Sequence, residues 1–238
     1  MTVQTTIVFG GSSGIGEATA RAAKRAEHRV VIVGRDERKL AAAAKRLEGV
    51  ETISADATER ASVDAAFQKV GSVDHVVICV SGGKGAGPFA DLNLADVREA
   101  FEAKTLAQLT IAQSALKYVQ KGGSLTFVGA ASTRSVIPGT VGLAAVNGAI
   151  ETAIPILAKE LAPLRVNAVS PGIIDTDWWN AMPKAAKESF FKTAEKQLPV
   201  GRVGKPEEVA NVILCLIQTG FVTGSIFECD GGSHLVAP

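Results

Sequence analysis

At 238 residues the chain is long enough for one well-filled α/β domain, and a second domain is not expected. Lysine and arginine number 25 against 24 aspartates and glutamates, so a net charge of +1 gives no long-range field to attract nucleic acid or an anionic membrane. Three cysteines, three scattered histidines of surface or strand-end type and no CxxC or HExxH pattern leave a metal site without support. The first residues, MTVQTTIVFGG, become apolar too late and too briefly to read as a signal peptide, and no apolar run approaches the ~20 residues of a membrane span, so a cytoplasmic protein with reduced thiols is expected.

In chain order, the first apolar run is TTIVF, which leads straight into Gly10-Gly11-Ser12-Ser13-Gly14-Ile15-Gly16 and an alanine-rich helix over 14–27. Strand, glycine turn and helix together form the context of a phosphate loop. Glycines let the backbone approach a pyrophosphate, whose charge meets the free N–H groups and positive dipole end of the helix. Gly10, Ser12, Ser13, Gly14 and Ile15 are therefore assigned to a pyrophosphate, with the serines as added hydroxyl donors. The alternative is a tight turn of pure architecture.

The second run, RVVIV, ends in Val33-Gly34-Arg35-Asp36, where an NAD-binding protein would place an acid for the ribose hydroxyls. Glycine has displaced that acid, and an Arg35 guanidinium would meet a 2′-phosphate with charge-assisted bonds, so NADP(H) is the expected cofactor. The plainer alternative makes Arg35 a solvated helix-start residue. In either case Asp36 is placed to cap the helix predicted over 37–47.

VETIS, a helix over 61–70, DHVVICV, a helix over 94–120, SLTFV, a helix over 141–161, RVNAVS, helices over 183–197 and 206–218, and SIFECD complete the series. Most of the seven strands are apolar on both faces. This predicts a single doubly wound, mostly parallel sheet of Rossmann type spanning residues 1–238, with helices on both sides and ligands at the strands' carboxyl edge. The irregular stretches 81–91 and 172–199 both follow strands and should rim that edge, the second as a lid. Its Trp178-Trp179 pair either closes over a small apolar or aromatic substrate, or packs the lid onto its own domain or a second subunit.

These blocks resemble the short-chain dehydrogenase/reductase family along essentially the whole chain. Gly10 to Gly16 looks like its TGxxxGIG turn with Phe9 for threonine, and Asp56 matches an aspartate near the adenine. Cys79-Val80-Ser81-Gly82 stands where the family writes NNAG, which implies that Val80, Ser81 and Gly82 lie beside the ribose. Arg165 to Gly172 with Thr176 resembles RVNAVxPGxxxT, which implies that Pro171, Gly172, Ile173 and Thr176 bracket the nicotinamide. Gly201-Arg202, the 206–210 run PEEVA, Thr223-Gly224 and Asp230-Gly231-Gly232 are similar to its C-terminal signature. The resemblance further implies a homodimer or homotetramer.

The same alignment puts Leu143 and Asn147 into the family's YxxxK motif, Ala130 or Ala131 at its serine, and Lys104 at its helix asparagine. In the family's mechanism tyrosine protonates the carbonyl oxygen, lysine lowers the tyrosine pKa and holds the ribose, and serine polarises the carbonyl. Leucine does none of this, and the sole tyrosine, Tyr118, falls near the end of a helix far from the nicotinamide, where it is expected to pack on core.

Lysine and asparagine look exchanged between neighbouring helices. If those helices pack side by side, Lys104 reaches the ribose or a substrate oxygen, and its burial would lower its pKa enough to make it a proton donor. The alternative is an exposed helix lysine. Ser132, with Thr133 beside it, is the nearest hydroxyl to the lost serine, although loop serines are mostly caps. Cys79 reads as a small apolar residue. The expected function is an atypical NADP(H)-dependent oxidoreductase in which Lys104, Ser132 or water replaces tyrosine. The alternatives are a non-catalytic NADP(H)-binding sensor or partner subunit and, more weakly, an enzyme of another class that keeps the cofactor as a structural element.

Overall fold

The computed structural model describes residues 3–236. The strands are β1 (Thr5–Phe9), β2 (Arg29–Gly34), β3 (Glu51–Ser54), β4 (Val73–Ile78), β5 (Val119–Val128), β6 (Arg165–Pro171) and β7 (Ile226–Cys229). The helices are α1 (Gly14–Arg25), α2 (Glu37–Arg46), α3 (Arg60–Val70), α4 (Leu94–Ala100), α5 (Ala107–Ala115), α6 (Val141–Glu160), α7 (Lys184–Gln197) and α8 (Pro206–Gln218).

One sheet runs in the order β3-β2-β1-β4-β5-β6-β7, and every neighbouring pair is parallel. The expected antiparallel minority is absent among the described strands. Because side chains alternate along a strand, β1 sends Ile7 and Phe9 to one face and Val8 to the other. The first core layer gathers Phe67, Ile111, Phe127 and Ile154 under α3, α5 and α6. The second gathers Ile32, Leu40, Val169 and Ile213 under α1, α2 and α8. β1, β4 and β6 are inner strands and nearly wholly buried, whereas the edge strands β3 and β7 expose residues. Strand order reverses between β1 and β4, so a crevice opens at their carboxyl ends.

The helix expected over 94–120 is instead α4, a π-helical turn at Phe101–Leu106, and α5. The extra residue in the wide turn changes the helix phase, a feature common at functional sites. α5 stops at Ala115, and Tyr118 lies in the following turn. There its ring stacks on Phe67 at 5.5 Å and its carbonyl accepts the Val73 N–H, so β5 starts at Val119 rather than 124.

Two further expectations need correction. α6 has 20 residues and a mean hydropathy of 1.6, enough by length and composition to cross a membrane. Val146, Ile150, Ile154 and Ala158 face inward from it, which explains part of that apolarity as core. His28 and His75 are not scattered, since their rings stack at 5.8 Å and His75 is only 2% exposed within β4. His75 Nδ1 meets the Ser124 hydroxyl at 2.9 Å, and burial pushes its pKa down to about 4. That pair sits at the amino ends of the strands, opposite the crevice.

Candidate cofactor and active site

β1 leads into Gly10, whose φ of +77° suits glycine. A side chain on Gly10 would start 2.8 Å from the Cys79 carbonyl, and one on Gly16 would strike the Gly10 carbonyl. The turn is therefore closed tightly enough for a ligand to reach its backbone. The first bond into α1 runs from Glu17 N–H to the Ser13 carbonyl, which leaves the N–H groups of Gly14, Ile15 and Gly16 facing out of the helix end. Ser13 is the extended N-cap, and its side chain makes no capping bond. Ser12 Oγ lies beside Gly34, and its carbonyl accepts from Arg46 Nη2 at 3.4 Å. Arg46, held by Glu17 at 2.6 Å, was not singled out from sequence.

Arg35 is exposed at the end of β2. Next to it, the Asp56 carboxylate accepts the Thr58 N–H and hydroxyl at 2.9 and 2.8 Å. Those bonds, and Arg35 in lesser degree, hold the Asp56 carboxyl below its ordinary range. Asp36 caps α2 by accepting from Arg38 and Lys39 N–H. Ser12, Arg35 and Asp56 thus stand around the carboxyl ends of β1, β2 and β3.

Across the crevice, the Val80 carbonyl accepts from Gln108 Nε2 at 3.1 Å, and the same amide donates to the Val128 carbonyl at 3.0 Å. Gln108 therefore ties the ends of β4 and β5 together. The exposed Ser81 hydroxyl donates to the Gly82 carbonyl. β6 ends at Pro171, Gly172 N–H donates to the Cys229 carbonyl, and the chain continues past Ile173 to Thr176. The Thr176 methyl lies 3.3 Å from the position a side chain would take on Gly14, so the start of the lid meets the phosphate turn.

The lid continues through a 3-10 turn, Asp177–Ala181, into α7. Trp179 packs the lid on itself, with its ring 4.9 Å from Phe190. Trp178 makes an edge-on pair with Trp179 at 4.6 Å and reaches over the crevice, its Nε1–H toward the Gly82 carbonyl at 3.4 Å. The two tryptophans thus have different neighbours, Trp179 packing on Phe190 as expected of lid packing and Trp178 reaching Gly82.

Lys104 lies in the π-helical turn and is 7% exposed, which overturns the exposed-helix alternative. Its Nζ donates to the Gly129 carbonyl at 3.1 Å, just beyond β5. Burial lowers its pKa from 10.5 to about 8, while Cys79 and Glu151 act in the opposite direction. Its turn packs against α6, with the Thr105 hydroxyl donating to the Val146 carbonyl at 2.9 Å. On α6, buried Asn147 donates through Nδ2 to the Leu143 carbonyl at 2.8 Å and to Ser132 Oγ at 3.3 Å, and its Oδ1 has no protein partner. Ser132 sits in a 3-10 turn, Ala131–Thr133, directly after β5. Cys79 is no nucleophile, since burial pushes its thiol up to about 12.

Sequence reasoning missed Glu151, which is 5% exposed and accepts from the Thr133 hydroxyl and Arg134 at 2.9 and 2.8 Å. A signal for it existed. Lys104 and Gln108, like Asn147 and Glu151, are polar residues four apart on otherwise buried helix faces.

Residues 10–234 match the family model described as enoyl-(acyl carrier protein) reductase. A 3-oxoacyl-[acyl-carrier-protein] reductase of Rattus norvegicus is 31% identical over 97% of this chain and 98% of its own length. Carbonyl reductase family member 4 of Xenopus laevis is 30% identical over 96% and 97%. Among solved structures, a small-chain dehydrogenase in complex with NADPH superposes with a TM-score of 0.85 at 30% identity, over 98% of this chain and 100% of that one. A short-chain type dehydrogenase/reductase from Mycobacterium ulcerans gives 0.89 at 27% identity, over 99% and 92%.

Proposed function

This chain belongs to the short-chain dehydrogenase/reductase family, and from that premise we propose that it is an NADP(H)-dependent oxidoreductase of carbonyl or alcohol substrates with an unusual proton donor. The phosphate turn fits the cofactor. Ser12, Ser13, Gly14 and Ile15 offer N–H and hydroxyl donors at a positive helix end, Gly10 closes the turn beneath them with its own N–H donated to the Val33 carbonyl, Arg35 offers a guanidinium to a 2′-phosphate, and Asp56 borders the adenine. Val80, Ser81, Gly82, Pro171, Gly172, Ile173 and Thr176 flank the rest of the crevice. The NADPH-bound small-chain dehydrogenase supports the phosphorylated form of the cofactor.

When bound, NADPH supplies the hydride. The protein must supply the proton, and the observation that carries the reading is Lys104, a buried amine whose pKa of about 8 lies near an ordinary working pH. In carbonyl reduction Lys104 Nζ gives its proton to the forming alkoxide and regains one from solvent, and in alcohol oxidation the neutral amine accepts it. Ser132 Oγ, held by Asn147 Nδ2, donates a hydrogen bond to the same oxygen. Trp178 excludes water and favours a small apolar or aromatic substrate. Exposed Leu106, Ile156 and Phe221 support a homodimer or homotetramer.

A second reading, a non-catalytic NADP(H)-binding sensor or partner subunit, draws on Leu143, which cannot carry a proton where the family has tyrosine. Titration calorimetry with NADPH, run beside NADPH oxidation against aldehydes, ketones and quinones, separates the two. Tight binding with turnover that Lys104→Met abolishes supports the enzyme, and tight binding with no turnover on any substrate supports the sensor. No binding at all refutes both.

A further inference from the structure

An ammonium has three donors and is expensive to bury without a counter-charge. Lys104 gives one donor to the Gly129 carbonyl. The end of β4 faces it with the Cys79 thiol, which stays neutral. α6 brings Asn147 and Glu151 to this wall, and the loop after β5 brings Ser132, Thr133 and Arg134. Glu151 is the anion among them. Its Oε2 takes Thr133 and Arg134, but its Oε1 is buried without a partner. That orphan oxygen lies 3.2 Å from where a side chain would begin on Gly129, the residue whose carbonyl Lys104 holds. A cation with unused donors and an anion with an unused acceptor therefore flank one glycine.

We infer that Glu151 is the counter-ion of Lys104 and keeps the amine protonated inside the crevice. It is a positioning residue, and its catalytic consequence rests on the function proposed above. Arg134 competes for it, bonding Glu151 at 2.8 Å and Glu228 at 2.9 Å, while Glu228 in turn meets His234 Nε2 at 3.1 Å. Removing Arg134 leaves more of the Glu151 charge for Lys104, and removing Glu151 leaves Lys104 to desolvation alone. Glu151 raises the Lys104 pKa against the larger effect of burial, in agreement with this geometry.

The test is NMR titration of the cofactor-free, full-length protein labelled with 13C-lysine, with the Lys104 signal assigned by its loss in Lys104→Met. The wild-type midpoint should lie near about 8. Glu151→Gln keeps the shape but loses the charge, and it should lower the midpoint by about one unit. Glu151→Asp, which keeps the charge, should hold the midpoint near the wild-type value, and Arg134→Gln should raise it. Equal midpoints in wild type and Glu151→Gln would overturn the inference. If Glu151→Gln does not fold, the partly exposed Arg134→Gln decides, and an unmoved midpoint there overturns it too. With active protein, the alkaline limb of kcat/KM should follow the NMR midpoint. A protein that binds NADPH but never turns over defeats the functional reading alone and leaves the titration able to judge the counter-ion.

Discussion

Replacing Lys104 with methionine removes the buried amine while keeping a long unbranched chain in its place. Lysine titrates near 10.5 when exposed and near about 8 in this fold. At about 1.4 kcal/mol per unit, the folded state carries a penalty of about 3 kcal/mol for the charged amine. The folded-state pKa is the depressed one, so between about 8 and 10.5 the unfolded chain holds a proton that the folded chain has lost. Raising the pH through that window therefore stabilises the wild type, and below it the full penalty is felt. Lys104→Met should be more stable than wild type at pH 7 by about 2 kcal/mol, the hydrogen bond to Gly129 offsetting about 1 kcal/mol, and the advantage should vanish toward pH 10. Urea unfolding of both proteins at pH 7, 8, 9 and 10 measures this, because the difference cancels the other lysines and Tyr118. NADPH oxidation should fall about 10²- to 10⁴-fold in the same variant, the stability–activity trade-off of a functional site. A stability difference that stays constant between pH 7 and 10, or unchanged turnover, would refute the placement of a functional, desolvated amine at this position.

Arg35→Glu should weaken NADPH binding by about 10- to 100-fold and leave NADH binding unaffected or improved, as read by calorimetry with both nucleotides. Gly16→Ala should lower the unfolding free energy by about 1–3 kcal/mol and weaken NADPH binding, because the new methyl meets the Gly10 carbonyl; urea unfolding and calorimetry report each effect. His75, neutral in the fold down to about pH 4, should cost the wild type about 3 kcal/mol of stability as pH falls from 6.5 to 4, since the unfolded chain takes up its proton first. Unfolding of His75→Gln across the same range should show a flatter acid slope. Trp178→Ala should change the melting temperature little, because the ring is 42% exposed, but should raise KM for apolar substrates and speed NADPH release in stopped-flow displacement.

What the sequence made legible was written locally. TTIVF followed by the glycine turn could be read because a strand, a φ-positive glycine and a helix start are adjacent in the chain, and β1 falls on the expected residues. Asp36 could be read as a cap for the same reason. The break in the helix over 94–120 could not be read, because it is set by partners far away: Phe67 and Val73 claim Tyr118, and α6 claims Thr105. Lys104 stayed ambiguous because the π-helical turn sets its facing, and a helical lysine is ordinarily solvated. Trp178 and Trp179 are neighbours in sequence with different partners, Gly82 and Phe190, a division that only the position of α7 decides.

The proposed exchange of lysine and asparagine reads better as a rearrangement than as decay. Decay would leave a lysine-to-asparagine change on α6 with its amide pointing anywhere, whereas Asn147 holds Ser132 and the Leu143 carbonyl at once. It would also leave no reason to bury a lysine, among the costliest residues to desolvate, at the end of β5. Lys104 stands on the π-helical turn that packs against α6, and an acid one turn from Asn147 lies against Gly129, whose carbonyl Lys104 holds. Gly129 lets this happen, because any side chain there would press on the Glu151 carboxylate. The crevice wall therefore holds a buried lysine in a turn packed against the helix that carries Leu143 and Asn147.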